Sequence, residues 1–261
     1  MQFLTSLNPL YALSGLAVGC LVGLTGVGGG SLMTPLLVLV FGIHPATAVG
    51  TDLLYAAATK SVGTGVHGWK GTVQWGIVGR LASGSIPATL MTLWFLSRQV
   101  KHTSANGMIT TTLGWALIIT AIAILFRTTI VRFFSDKTKG LSPIRATALT
   151  VLLGAALGVL VTLTSVGAGA LGMTILLVLY PRMDVAKLVG SDIAHAVPLT
   201  LIAGLGHWLM GTVNWSLLAS LLTGSIPGII IGSLLASRTP DGVLRPILAS
   251  TLALVGGKLL T

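Results

Sequence analysis

Two halves of this chain carry the same short words in the same order, 140 residues apart. Val49-Gly50-Thr51-Asp52 returns as Val189-Gly190-Ser191-Asp192, and His67 returns as His207. Gly71-Thr72-Val73 with Trp75 returns as Gly211-Thr212-Val213 with Trp215, and Gly84-Ser85-Ile86-Pro87 as Gly224-Ser225-Ile226-Pro227. The glycine run Gly26-Val27-Gly28-Gly29-Gly30 has its counterpart in Ser165-Val166-Gly167-Ala168-Gly169, displaced by 139. A duplication of this kind restricts the chain to two copies of one unit, with any shared site expected where the copies meet.

Both copies are apolar. Of 261 residues, 53% are hydrophobic and 8% charged, against about a quarter charged in a soluble domain. No Asp, Glu, Lys or Arg occurs in 1–51, 146–181 or 193–237. A helix crossing a bilayer needs roughly 20 apolar residues, so these stretches predict an all-α polytopic membrane protein. The 34 glycines suit helices whose backbones approach closely where lipid supplies no hydrophobic drive. A formal charge of +10 raises nucleic acid as a partner. The basic residues fall in short connections, however, as they do in cytoplasmic loops, and no nucleic-acid partner is expected. Cys20 stands alone, which excludes an intramolecular disulfide. The first residues lack a basic n-region, so no cleaved signal peptide is expected. No HExxH, CxxC or GxxxxGK[ST] occurs, and no cofactor or metal is expected.

Five apolar segments are read in each half: 9–25, 31–42, 46–66, 73–97 and 105–126, then 146–164, 170–181, 185–206, 213–237 and 243–260. The second of each set is too short to span, and each pair meets at the glycine-rich stretch, which predicts a helical hairpin or a broken helix bent at the glycines. This amounts to about 8–10 membrane helices. Residues 1–126 form the first repeat, 127–145 a basic linker and 146–261 the second repeat. The linker carries Arg127, Arg132, Lys137, Lys139 and Arg145 against Asp136, which places it in the cytoplasm. If each short pair returns to the side it came from, the halves are inverted. Ten basic residues then fall inside and three outside, with Lys60 and Arg80 within segments. If each pair crosses once, the halves are parallel and the split is seven to six. Charge therefore favours inverted repeats with both termini extracytoplasmic.

Three groups of residues can carry chemistry. Gly26, Gly28, Gly29 and Gly30, with Ser165, Gly167 and Gly169, leave backbone N–H groups that hydrocarbon cannot satisfy, and a helix starting after such a run is a ready anion site. The alternative is that the glycines only permit tight turns. Asp52 and Asp192 follow a hydroxyl residue each (Thr51, Ser191), inside apolar segments where an ionisable group is costly and points to function. Lys60 is eight residues beyond Asp52, near the same face, and His195 is three beyond Asp192, at neighbour spacing. These four are candidates for coupling or gating, with Thr51 and Ser191 as added hydroxyl donors to a substrate. A structural ion pair or a hydroxyl–carboxylate cap would explain them equally. His67 and His207 read as hydrogen-bonding residues before a turn, Trp75 and Trp215 as interfacial anchors, and Pro87 and Pro227 as kinks.

With these words the chain resembles the sulfite exporter TauE/SafE family of membrane transport proteins. The resemblance covers nearly the whole chain and rests on Gly26-Val27-Gly28-Gly29-Gly30, Ala48-Val49-Gly50-Thr51, His67 with Gly71-Thr72-Val73 and Trp75, and the Gly-Ser-Ile-Pro words. The chain differs from a common pattern of the family at Asp52, where many members carry a small residue, and at Lys60. The resemblance implies a multi-pass inner-membrane carrier for sulfur-containing anions such as sulfite or sulfonates. Together these readings predict a secondary transporter that cradles a small anion between the repeats and is driven by protons. Its expected partners are that anion and the bilayer, and a homodimer is admitted. An anion channel, or a carrier of another small carboxylate or oxyanion, is the rival reading. An enzyme is not expected, because no nucleophile with its base is found.

Overall fold

The computed structural model describes residues 8–25, 30–99, 105–138, 140–235 and 241–260. Among them the chain is all helix. In the first half these are α1 (Pro9–Thr25), α2 (Gly30–Leu39), α3 (Pro45–Trp69), α4 (Trp75–Gln99) and α5 (Ala105–Leu125), followed by α6 (Arg127–Thr138). The second half holds α7 (Pro143–Thr164), α8 (Ala170–Leu179), α9 (Val185–Leu209), α10 (Trp215–Leu235) and α11 (Asp241–Leu260).

Local chemistry sets the ends. Pro45 and Pro143 open α3 and α7 at the first helical position, where a missing N–H is not needed. Ser142 caps α7 by accepting from Arg145 N at 3.4 Å, and Asp184 caps α9 by accepting from Ala186 N at 3.1 Å. The helices α3 and α9 stop alike: Gly71 (φ 64°) and Gly211 (φ 75°) are left-handed, a conformation glycine adopts without Cβ strain. Thr72 N and Thr212 N then donate to the carbonyls of His67 and His207, both at 3.0 Å. The threonine hydroxyls meet Nδ1 of the same histidines at 2.8 and 3.0 Å. His67 and His207 are thus hydrogen-bonding residues of their own turns.

The short pair of the second half is a hairpin. The hydroxyls of Tyr180 and Thr150 are bonded at 2.7 Å, Gly172 lies against Leu157 and Gly167 against Leu160, so α8 runs back along α7. Residues 26–29, where the sequence predicts the matching bend of the first half, lie outside the described residues.

The largest packing surfaces join the two halves, and they are reciprocal. Helix α1 lies along α10, and α7 along α4. Gly15 rests on the backbone of Leu221 as Gly154 does on Leu81, Gly19 on Ser225 as Gly158 on Ser85, and Gly224 on Ala12 as Gly84 on Val151. Equivalent helices meet head to tail. Along the α3–α9 contact, Gly50 is beside His207, Leu54 beside Gly204 and Gly63 beside Ile193; along α5–α11, Gly114 is beside Leu260 and Ile118 beside Gly256. Both pairs run antiparallel. The two larger apolar clusters among the described residues hold Val49, Leu81, Leu157, Met173 and Leu199 in one and Val18, Met33, Leu37, Tyr55 and Leu221 in the other.

By length and composition, α7 and α9 are each able to cross a membrane, and α5 with α6 passes as a pair bent by 70°. The segment 127–145, expected as a linker, is helical over its first twelve residues. It contains no Gly or Pro before Gly140 to stop a helix, so after the bend at Phe126 the chain resumes as a second helix in spite of its charge.

Candidate functional site

The four ionisable residues singled out in the sequence share one buried centre, where α3 and α9 meet the tip of the α7–α8 hairpin. Asp52 is wholly buried. Its Oδ2 accepts from Thr34 N at 3.2 Å and from Thr34 Oγ1 at 2.5 Å, tying α3 to α2. Ser165, at the hairpin tip, lies beside the same carboxylate. Lys60, two turns on, is 5% exposed and donates from Nζ to Ala168 O at 3.2 Å. Its charge acts on both Asp52 and Asp192. Asp192 sets Oδ1 against Gly172 in the first turn of α8, where an added Cβ would stand 2.6 Å from it. Lys60 and Arg127 both act on this carboxylate. His195, one turn beyond, shares a 2.8 Å hydrogen bond between Nε2 and Ser85 Oγ of α4.

The hairpin tip is built for close approach. Ser165 takes φ 58°, Gly167 φ 113° and Gly169 φ 120°. Ser165, Val166, Gly167, Ala168 and Gly169 are all buried. Leu171 N and Gly172 N turn back to Gly167 O at 3.1 and 3.2 Å, so α8 begins here and its positive end points into the protein. In the first half Gly30 opens α2, while Gly26, Gly28 and Gly29 lie outside the described residues.

Thr51 and Ser191 serve the inter-repeat contact. Thr51 Oγ1 accepts from Asn214 N at 3.1 Å, ahead of α10, and Ser191 Oγ accepts from Gln74 N at 2.9 Å, ahead of α4. Ser191 also donates to Lys187 O at 2.6 Å, so its one proton is committed, and it reaches another acceptor only by breaking that bond. Ser191→Ala is expected to leave Gln74 N without its partner and to lower stability by about 1 to 2 kcal/mol; thermal unfolding in detergent would measure it, with Ser191→Thr as the near-neutral comparison.

The arrangement brings one buried ammonium under the influence of two buried carboxylates. Oδ1 of Asp52, Oδ1 of Asp192 and Nδ1 of His195 have no hydrogen-bond partner among the described residues. The carboxylates therefore retain acceptor capacity, and Lys60 and the α8 terminus supply positive charge.

Several participants escape a search for identical words. Tyr55 faces Ser225 as His195 faces Ser85, at the same 140-residue offset but with different chemistry. Ser85 and Ser225 belong to the duplicated Gly-Ser-Ile-Pro words, where the prolines draw attention first. Thr34 carries no local signal, and the Ala168 carbonyl cannot be read from side chains.

The sulfite exporter TauE/SafE family model matches residues 11–259. The chain is 41% identical over 250 residues to a Bacillus subtilis protein named "Probable membrane transporter protein YjnA", covering 95% of this chain and 98% of that one. It is 29% identical over 246 residues to "Probable membrane transporter protein YdhB" of the same organism, covering 92% and 94%. A "Probable membrane transporter protein" of Xylella fastidiosa is 29% identical over 218 residues, covering 82% and 79%. No solved structure matches the chain.

Proposed function

Because this chain belongs to the sulfite exporter TauE/SafE family of membrane transporters, we propose that it is a proton-coupled secondary carrier of a small sulfur-containing anion such as sulfite or a sulfonate. In this reading it is a multi-pass protein of the inner membrane made of two inverted-topology repeats, 1–126 and 146–261. The segment 127–145 is cytoplasmic and both termini are extracytoplasmic. The antiparallel meeting of α3 with α9 and of α5 with α11 supports the inversion, since parallel repeats would bring equivalent helices together head to head.

The observation that carries the reading is the buried hairpin tip with Lys60 on it. An oxyanion between the repeats would exchange hydration for the Lys60 ammonium and the amides from Gly167 to Gly169, since Ser165 N and Val166 N already donate to Val161 O and Thr164 Oγ1, with Gly26 to Gly30 as the first-half counterpart. Thr51 and Ser191 border that space. Asp52 and Asp192 each hold one oxygen open to a proton, and Lys60 and His195 link them as coupling and gating groups. Protonating one carboxylate as the anion enters keeps the net charge of the centre unchanged, which a low-dielectric site requires.

The test is counterflow in proteoliposomes, with labelled sulfite and short-chain sulfonates as probes. Saturable counterflow accelerated by an inward proton gradient is expected. Asp192→Asn is expected to keep insertion and probe binding but to lose the acceleration by the gradient. Flux that does not saturate and shows no counterflow would favour a channel, and normal coupling in Asp192→Asn would remove the proton role.

A further inference from the structure

We propose that α6 is an in-plane helix at the membrane surface that binds anionic lipid headgroups and holds the α7–α8 hairpin from that position. The proposal rests on the chain being a membrane protein and is independent of which solute it carries. At Phe126 the chain turns 70° out of the line of α5, so α6 leaves across the crossing direction. Its sequence, with Phe126 at the bend, has two different sides. Phe126 (50% exposed), Ile130 (half-buried) and Phe133 (61% exposed) follow one helical face at four- and three-residue steps. Thr128 and Arg132 are exposed on another.

A third side grips the hairpin. Thr138 Oγ1 donates to Val178 O at 2.5 Å, at the end of α8, and α6 packs against α8. Helix α6 therefore touches the element whose other end forms the buried centre. The segment 127–145 carries five basic residues against one acidic. Phenylalanines along one edge with arginine beside them place the apolar edge at the acyl boundary, and the cationic side then gains from anionic headgroups. An acidic soluble partner would satisfy the charge and leave the phenylalanine edge in water, so the lipid surface fits both features.

The experiment uses the full chain in a Cys20→Ala background, with spin labels introduced by Phe133→Cys or Thr128→Cys. The protein is placed in nanodiscs of phosphatidylcholine alone or of phosphatidylcholine with phosphatidylglycerol. The label at 133 is expected to collide with oxygen more than with a polar nickel chelate, and the label at 128 to do the reverse. Phosphatidylglycerol is expected to move the 133 label deeper. Arg132→Gln should remove that shift and keep the oxygen contact. A 133 label as open to the nickel chelate as the 128 label would overturn the in-plane placement. Equal depth in both lipids, or a full shift in the Gln variant, would overturn the headgroup binding. Because no transported solute is used, either failure leaves the carrier reading to be judged by its own counterflow test.

Discussion

Lys60→Met is expected to abolish flux and to destabilise the protein by about 3 to 5 kcal/mol, the range for removing one partner from a buried charge cluster. Met keeps the length and most of the volume of Lys, so packing changes little. What disappears is the donor to Ala168 O and the one charge that acts on both Asp52 and Asp192. Two buried carboxylates, Asp52 and Asp192, would then lose the ammonium that acts on both. The double variant Lys60→Met, Asp192→Asn is expected to regain most of the lost stability, because it removes one of the uncompensated charges, and to remain without flux. Thermal unfolding and proteoliposome counterflow on the same preparations separate the two effects. Normal flux in Lys60→Met would take the ammonium out of the transport cycle.

Gly224→Ala is the second large effect expected, and here the loss is of assembly. A Cβ at Gly224 would fall on Ala12 O, as one at Gly84 would fall on Val151 O. Neither obstacle is the end of a flexible side chain; both are carbonyls of the partner helix, so relief requires α1 and α10, or α4 and α7, to move apart along their length. Overpacking of this kind is expected to cost about 3 kcal/mol or more, because the backbone must shift. Gly79→Ala provides the contrast. Nothing stands within 4 Å of that position, so the substitution is expected to be neutral or to stabilise α4 by up to about 1 kcal/mol. The monodisperse fraction on size exclusion and the unfolding midpoint would measure both. Equal behaviour of the two variants would mean that the reciprocal glycine contacts do not hold the halves together.

The apolar segments read from the sequence locate ten of the helices to within a few residues, because a run free of charge and bounded by Pro, Gly or basic residues admits little else. The bend at Ser165 to Gly169 is legible for the same reason: glycine takes the positive φ of Gly167 and Gly169 without strain. Helix α6 is hidden in the sequence because basic residues mark connections, whereas a helix such as Arg127–Thr138 can carry the same charge. At the centre, Asp52, Lys60, Asp192 and His195 were found by a single physical rule, the cost of ionisable groups in apolar segments. Thr51 and Ser191, expected from the sequence as hydroxyl donors to a substrate, are engaged by the fold as acceptors for the amides that precede α10 and α4.

Composition, repeat and charge-free runs were enough to make this chain a helical membrane protein with a doubled plan, since hydrocarbon leaves so few ways to satisfy a backbone. Which groups face one another came from packing alone. Thr34 against Asp52, Lys60 against the Ala168 carbonyl, and Ser85 against His195 join residues 18, 108 and 110 positions apart. Such meetings depend on how each helix is rotated and where it crosses its neighbour. Those angles are fixed by glycine contacts between the halves, such as Gly15 on Leu221 and Gly154 on Leu81, and leave no trace in the spacing of residues along either one.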